Sequence, residues 1–194
     1  FCTVSDITAR ECKYLLDTEV GIVTPNGFED DFVWKGDAFK AKRNDSRQLM
    51  IKVAEACLDH KFEKDPLIVG TSGRYEFKNK GLDVLIDSLK KLASDNPGGR
   101  EILAYITVPA GNDGPRKDLA AHLADPASPI DKGLYPHTTH YLSAPDWDPR
   151  VKAMCGSKLL DADSRVKVIF VPSYLQGDDG IFNKTYYELL AGMD

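Results

Sequence analysis

No apolar run in this 194-residue sequence approaches the roughly 18 residues that cross a bilayer, and no signal-peptide pattern stands at Phe1. The chain is therefore expected to be soluble and cytoplasmic, with no membrane partner. Cysteine is scarce. Cys2, Cys12, Cys57 and Cys155 are far apart and make no Cys-x-x-Cys, which points to reduced thiols, packed rather than reactive, and away from a thiolate zinc site. His137-Thr-Thr-His140, with Asp146 and Asp148 nearby, is the pair of histidines that invites a metal. It stands in an irregular stretch without the helical geometry or the general-base Glu of a zincin, so no metal site is expected. No block of like charge exists either: the net charge of −5 is spread over interspersed acids and bases, which argues against a nucleic-acid partner. The two commonest nucleotide loops are missing as well. Glycines at 70, 73 and 81 fit neither Gly-x4-Gly-Lys-Ser/Thr nor Gly-x-Gly-x-x-Gly. No cofactor is expected.

What is present suffices for one full domain and part of a second, with 42% hydrophobic residues and no repeats or low-complexity tracts. Cys2 to Ser5 and Gly21 to Thr24 read as strands on either side of a helix from about Ile7 to Asp17, a parallel βαβ unit. Leu49, Val53, Ala56, Cys57 and His60 recur at helical spacing, predicting a helix over 40–60 with His60 facing the dipole at its end. Leu67-Ile68-Val69 reads as a strand, the nearly continuous apolar run over Glu101 to Val108 as a parallel strand covered on both faces, and Lys167 to Val171 as a third strand. Asn96-Pro97-Gly98-Gly99 reads as a turn. Prolines at 126, 129, 136, 145 and 149 break 111–164 into loops, with short helices expected at 116–124 and 151–160. Asn183 is the expected cap of a last helix over 184–190. The order of elements predicts an α/β fold with a mainly parallel, Rossmann-like sheet.

The chain is organised around residues 70–92. A strand feeds a glycine-bracketed loop carrying Arg74, Lys78 and Lys80, and the loop opens into a helix whose Leu82, Leu85, Ile86, Leu89 and Leu92 share one face. First-turn amides and the macrodipole favour anions at 79–82. Beside them Arg74 can fork onto two phosphate oxygens and Lys80 adds a point charge. From spacing alone, a pyrophosphate cradle and a set of solvated loop charges both remain open.

Gly73-Arg74, five residues, then Lys80-Gly81 between a buried strand and a helix resembles the phosphate loop of retaining glycosyltransferases with the two-lobed GT-B architecture. Gly73 to Gly81 is similar, more narrowly, to the glycogen synthases of the animal and fungal type. Three further stretches share that resemblance: Phe1 to Glu11 (with Cys2 where the family usually has Thr), Thr24-Pro25-Asn26-Gly27, and Arg165 to Phe170.

The resemblance implies a retaining transfer of glucose from UDP-glucose, or ADP-glucose, to the non-reducing end of an α-1,4-glucan acceptor. Arg74 and Lys80 would carry the catalytic charge stabilisation, and Gly73, Arg74, Lys80 and Gly81 would bind the donor phosphates without metal. It also implies an internal fragment: 1–27 as the end of the N-terminal lobe, 28–64 as hinge and linking helix, and 65–194 as the first part of the nucleotide-sugar lobe. The family's Glu-x7-Glu motif would follow Asp194, so the fragment alone is expected to be inactive. The family carries a long helical insertion where 111–164 is short and proline-rich, which leaves a homo-oligomer possible but its interface open. The competing readings are another GT-B transferase or glucan phosphorylase, and a non-catalytic nucleotide- or carbohydrate-binding module.

Overall fold

The computed structural model describes residues 1–95, 98–131, 133 and 135–194, so the turn expected at 96–99 lies partly outside the described residues. It holds two compact units, Phe1–Trp34 and Lys35–Asp194.

In the first unit β1 (Cys2–Thr3) leads into α1 (Asp6–Leu16), and β2 (Ile22–Val23) pairs with β1 in parallel, the βαβ unit read from the sequence. The helix starts where the Ser5 hydroxyl accepts the Thr8 N–H at 3.2 Å and stops at Asp17 in the left-handed region. No residue of α1 is buried, and Val4, Ile7, Leu15, Leu16 and Ile22 are exposed. A short 3₁₀ turn over Asp30–Phe32 follows at the acidic stretch.

The second unit runs α2 (Gly36–Leu58), β3 (Leu67–Ser72), α3 (Leu82–Asp95), β4 (Ile102–Thr107), β5 (Asn112–Pro115), α4 (Lys117–Ala124), β6 (His140–Leu142), α5 (Pro149–Met154), β7 (Val166–Phe170) and α6 (Tyr186–Ala191). β3, β4 and β7 form a parallel sheet in that order, with Leu67 opposite Ile102 and Ile102 opposite Val166. Because strand side chains alternate, β4 feeds two cores. Leu103 and Tyr105 pack with Met50, Val53 and Cys57 of α2, while Ala104 and Ile106 pack with Leu82, Ile86 and Leu89 of α3. Tyr105 is tolerated in the first core because its hydroxyl donates to the Met50 carbonyl at 2.6 Å. The stripe on α3 is shorter than its sequence suggests: Leu82, Ile86 and Leu89 are buried, each worth roughly 1.5–3 kcal/mol, but Leu92 is exposed.

Several boundaries differ for local reasons. α2 ends at Leu58 with Asp59 in the left-handed conformation as its cap, and the His60 backbone N–H, not its ring, donates to the Glu55 carbonyl of the last turn at 3.3 Å. Its Nε2 instead lies 2.7 Å from Oε1 of the buried Glu101. β5 and β6 pair antiparallel, a ribbon the sequence hides because Gly114 and Pro115 read as a turn. The helix expected at 151–160 is two pieces, α5 and a 3₁₀ turn at Lys158–Leu160, since Asp148 and Pro149 start it early. α6 is capped by Thr185 rather than Asn183. Asn183 has φ of 49° and its side-chain oxygen accepts from the Gly180 N–H. Among the described residues no helix is long and apolar enough to cross a membrane.

Candidate functional site

The C-terminal ends of β3, β4 and β7 open on a cleft of about 520 Å³. It is lined by residues 72–75 after β3, Thr107 and Pro109 after β4, residues 173–176 after β7, and Tyr186 at the start of α6. That edge of a parallel sheet is where strands end and loops diverge, leaving a crevice for a ligand.

Gly73 and Arg74 are at its rim. Gly73 has φ of 148° and open space where a Cβ would stand, so backbone conformation and not crowding calls for glycine there. The Arg74 guanidinium is 83% exposed and its Nε is 3.7 Å from Glu76, too long for a hydrogen bond, so its donors face outward. Thr107 is held by its hydroxyl donating to the Thr71 carbonyl at 2.8 Å, which ties β4 to β3 at the cleft floor.

Lys80 and Gly81 stand on the turn before α3 and are not among the residues lining the cleft. Gly81 has φ of 67°, and Lys80 is exposed. The expectation of open amides at 79–82 is corrected in part. The N–H groups of Lys80, Gly81 and Leu82 donate to the carbonyls of Glu76, Lys78 and Phe77 at 2.9, 2.9 and 3.0 Å. The loop closes on itself before the helix begins, so anion binding here falls to side chains and to the backbone near Gly73.

The histidine pair is separated by its surroundings. His140 is buried, its Nε2 donating to the Asp179 carbonyl at 3.0 Å and its Nδ1 2.9 Å from the Thr139 hydroxyl, and burial lowers its pKa. His137 is buried with neither ring nitrogen partnered among the described residues, and burial pushes it down to about 4. Among the described residues no three His, Cys, Asp or Glu side chains converge on a metal position.

Three features of the cleft escaped the sequence. Tyr174 and Tyr186 line it, and neither stands in a motif. Behind Tyr75 lies a buried ion pair, Asp148 with Arg150. Burial alone would raise the Asp148 pKa, but the Arg150 guanidinium and the N–H groups of Val151 and Arg150 hold it below the usual carboxylate range. Asp148-Pro149 carries the residue pattern of a helix start, which could have found the cap; nothing in the sequence marks Arg150.

Comparison with known proteins adds to this geometry. The family model described as "Glycogen synthase" matches residues 1–114, a span that includes the whole Gly73–Gly81 loop. The chain is similar to the glycogen [starch] synthase of Neurospora crassa, 36% identical over 119 residues, covering 57% of this chain and 16% of that protein. It is also similar to the one from Caenorhabditis elegans, 26% identical over 252 residues, covering 99% and 37%. Human liver glycogen [starch] synthase is 35% identical over 99 residues, covering 47% and 14%. The chain thus spans well under half the length of each of these relatives. The nematode alignment is longer than the chain itself, so that relative carries extra residues within the matched span.

Proposed function

The chain belongs to the glycogen synthase family, and from that premise we propose that it supplies the donor-phosphate part of a retaining glucosyltransferase of GT-B architecture. The donor is UDP-glucose, with ADP-glucose as the variant, the acceptor is the non-reducing end of an α-1,4-glucan, and the setting is the cytoplasm. Residues 1–27 close a first lobe, 28–64 link it, and 65–194 begin the nucleotide-sugar lobe.

The observation that carries this reading is the position of Gly73-Arg74: an exposed guanidinium at the rim of a cleft at the C-terminal edge of a parallel sheet, inside the family-matched span. As the glucose–phosphate bond breaks, negative charge grows on the leaving diphosphate. Donors already in place strengthen with that charge and lower the barrier. Arg74 takes this role by two parallel N–H bonds to phosphate oxygens, and Lys80 is assigned as the second cation, brought in on its flexible stem. Gly73 binds the donor through backbone that a side chain would strain, with φ of 148°, while Gly81, with φ of 67° and its N–H held by the Lys78 carbonyl, shapes the turn that carries Lys80. Tyr174 and Tyr186 offer aromatic faces on the far side of the cleft for the flat base.

The test compares UDP with UMP by calorimetric titration of the 194-residue chain. The reading predicts that UDP binds at least tenfold tighter, because the second phosphate gains the charge-assisted contacts. Equal affinities would contradict it.

A further inference from the structure

Arg74 pairs with Glu76 of its own loop at 3.7 Å, a contact that does not tie the loop to the sheet. Tyr75 provides the anchor. Its ring centroid lies 3.9 Å from the Arg150 guanidinium carbon, which also lies 3.7 Å from the ring centroid of Phe170 at the end of β7. The Tyr75 hydroxyl donates to Asp148 Oδ2 at 3.2 Å.

Arg150 has no exposed side-chain surface. Its Nε donates to Asp148 Oδ1 at 3.0 Å, one terminal nitrogen donates to Asp148 Oδ2, and the other donates to the Val108 carbonyl beyond β4 at 3.2 Å. The Asp148 carboxylate is fixed in turn by the Arg150 N–H at 2.9 Å. A charge with no solvent contact is costly unless its donors are met, and an apolar side chain would fill the space at less cost. What the pair adds is a fixed guanidinium that lies over the rings of both Tyr75 and Phe170. It joins Tyr75 to residues next to the cleft lining on β4 and β7.

We propose that the Asp148–Arg150 pair positions the diphosphate loop: by gripping Tyr75 on its face and at its hydroxyl, it fixes residues 73–75 so that Arg74 meets the donor phosphates in place. Neither Asp148 nor Arg150 touches the ligand. The proposal rests on the reading of the cleft as the diphosphate site. Its physical basis is preorganisation, since a loop ordered before binding does not lose that freedom when the nucleotide arrives. Lysine cannot replace Arg150, because an ammonium has neither the planar faces nor the fork that meets Asp148 and Val108 together.

The experiment titrates UDP against the wild-type chain, Arg74→Ala, Arg150→Met, Tyr75→Leu, and each of the last two combined with Arg74→Ala, and measures amide hydrogen exchange over 73–77 and along β4. Tyr75→Leu leaves the buried pair intact, so it reports on the loop even where Arg150→Met disturbs folding. The proposal predicts that Arg150→Met and Tyr75→Leu each weaken UDP on the order of tenfold and speed exchange over 73–77 while β4 is unchanged. In the Arg74→Ala background they cost less than twofold more, because they act through Arg74. Wild-type affinity in both variants while Arg74→Ala binds weakly would overturn the positioning role and leave the diphosphate reading standing. So would full additivity in the double variants, or unchanged exchange over 73–77. Unchanged UDP affinity in Arg74→Ala would overturn the reading itself, and the positioning role with it.

Discussion

His137 shows at the scale of one residue how burial becomes a pH dependence. Its ring is 1% exposed, neither nitrogen has a partner among the described residues, and its pKa is pushed down to about 4 by desolvation. Its folded value lies below its unfolded value of 6.5, so between those values the unfolded chain binds a proton that the native chain does not. Stability is therefore highest above pH 6.5 and falls as the pH drops towards 4. The contribution lost between pH 7 and 5 is about 2 kcal/mol, from roughly 1.4 kcal/mol per unit of displacement. Denaturant unfolding at the two pH values should show His137→Phe losing less stability than the wild type, and identical losses would contradict the account. In the sequence, His137 is half of a spaced histidine pair from which no metal site is expected. Spacing shows two histidines near each other but not that one is buried without a hydrogen-bond partner among the described residues while the other is bonded at both nitrogens, because such facts depend on distant residues, as His140 depends on Asp179.

At the scale of elements, α6 depends on its first turn. Thr185 accepts the Glu188 N–H, and Glu188 accepts the Thr185 N–H at 3.0 Å and pairs with Lys42 of α2 at 2.7 Å. The Lys42 ammonium and the Thr185 N–H hold the Glu188 carboxyl down to about 2. Its folded pKa is depressed, so its stabilisation is present above pH 4.5 and lost as the pH falls towards 2. Thr185→Ala should cost about 1 kcal/mol of stability at neutral pH by denaturant titration. A change near zero would mean the box is dispensable. Gly81→Ala should likewise cost about 1 kcal/mol, since φ of 67° strains any residue with a Cβ. The box was legible as Thr185-x-x-Glu188, yet Asn183 two residues earlier is as good a cap by type; only the turn over 179–183 decides between them. α3 was legible because its apolar spacing repeats over three turns, whereas the β5–β6 ribbon is too short to leave a period.

At the scale of the whole molecule, β4 and β7 could be read from their apolar runs, because strands covered on both faces need no alternation, whereas β3 at the sheet edge is buried only at Ile68. The basic loop could be read too. What could not be read was how the cleft is built around it, since Thr107, Tyr174 and Tyr186 arrive from three separate parts of the chain and share no motif. The central claim is that this cleft holds a nucleotide diphosphate through Arg74. The most direct measurement is a calorimetric titration of UDP into the wild-type chain and into Arg74→Ala. The account predicts an affinity loss of about 1.5–3 kcal/mol, roughly ten- to 150-fold, with the fold unchanged by circular dichroism. Equal affinity in the two proteins would contradict it.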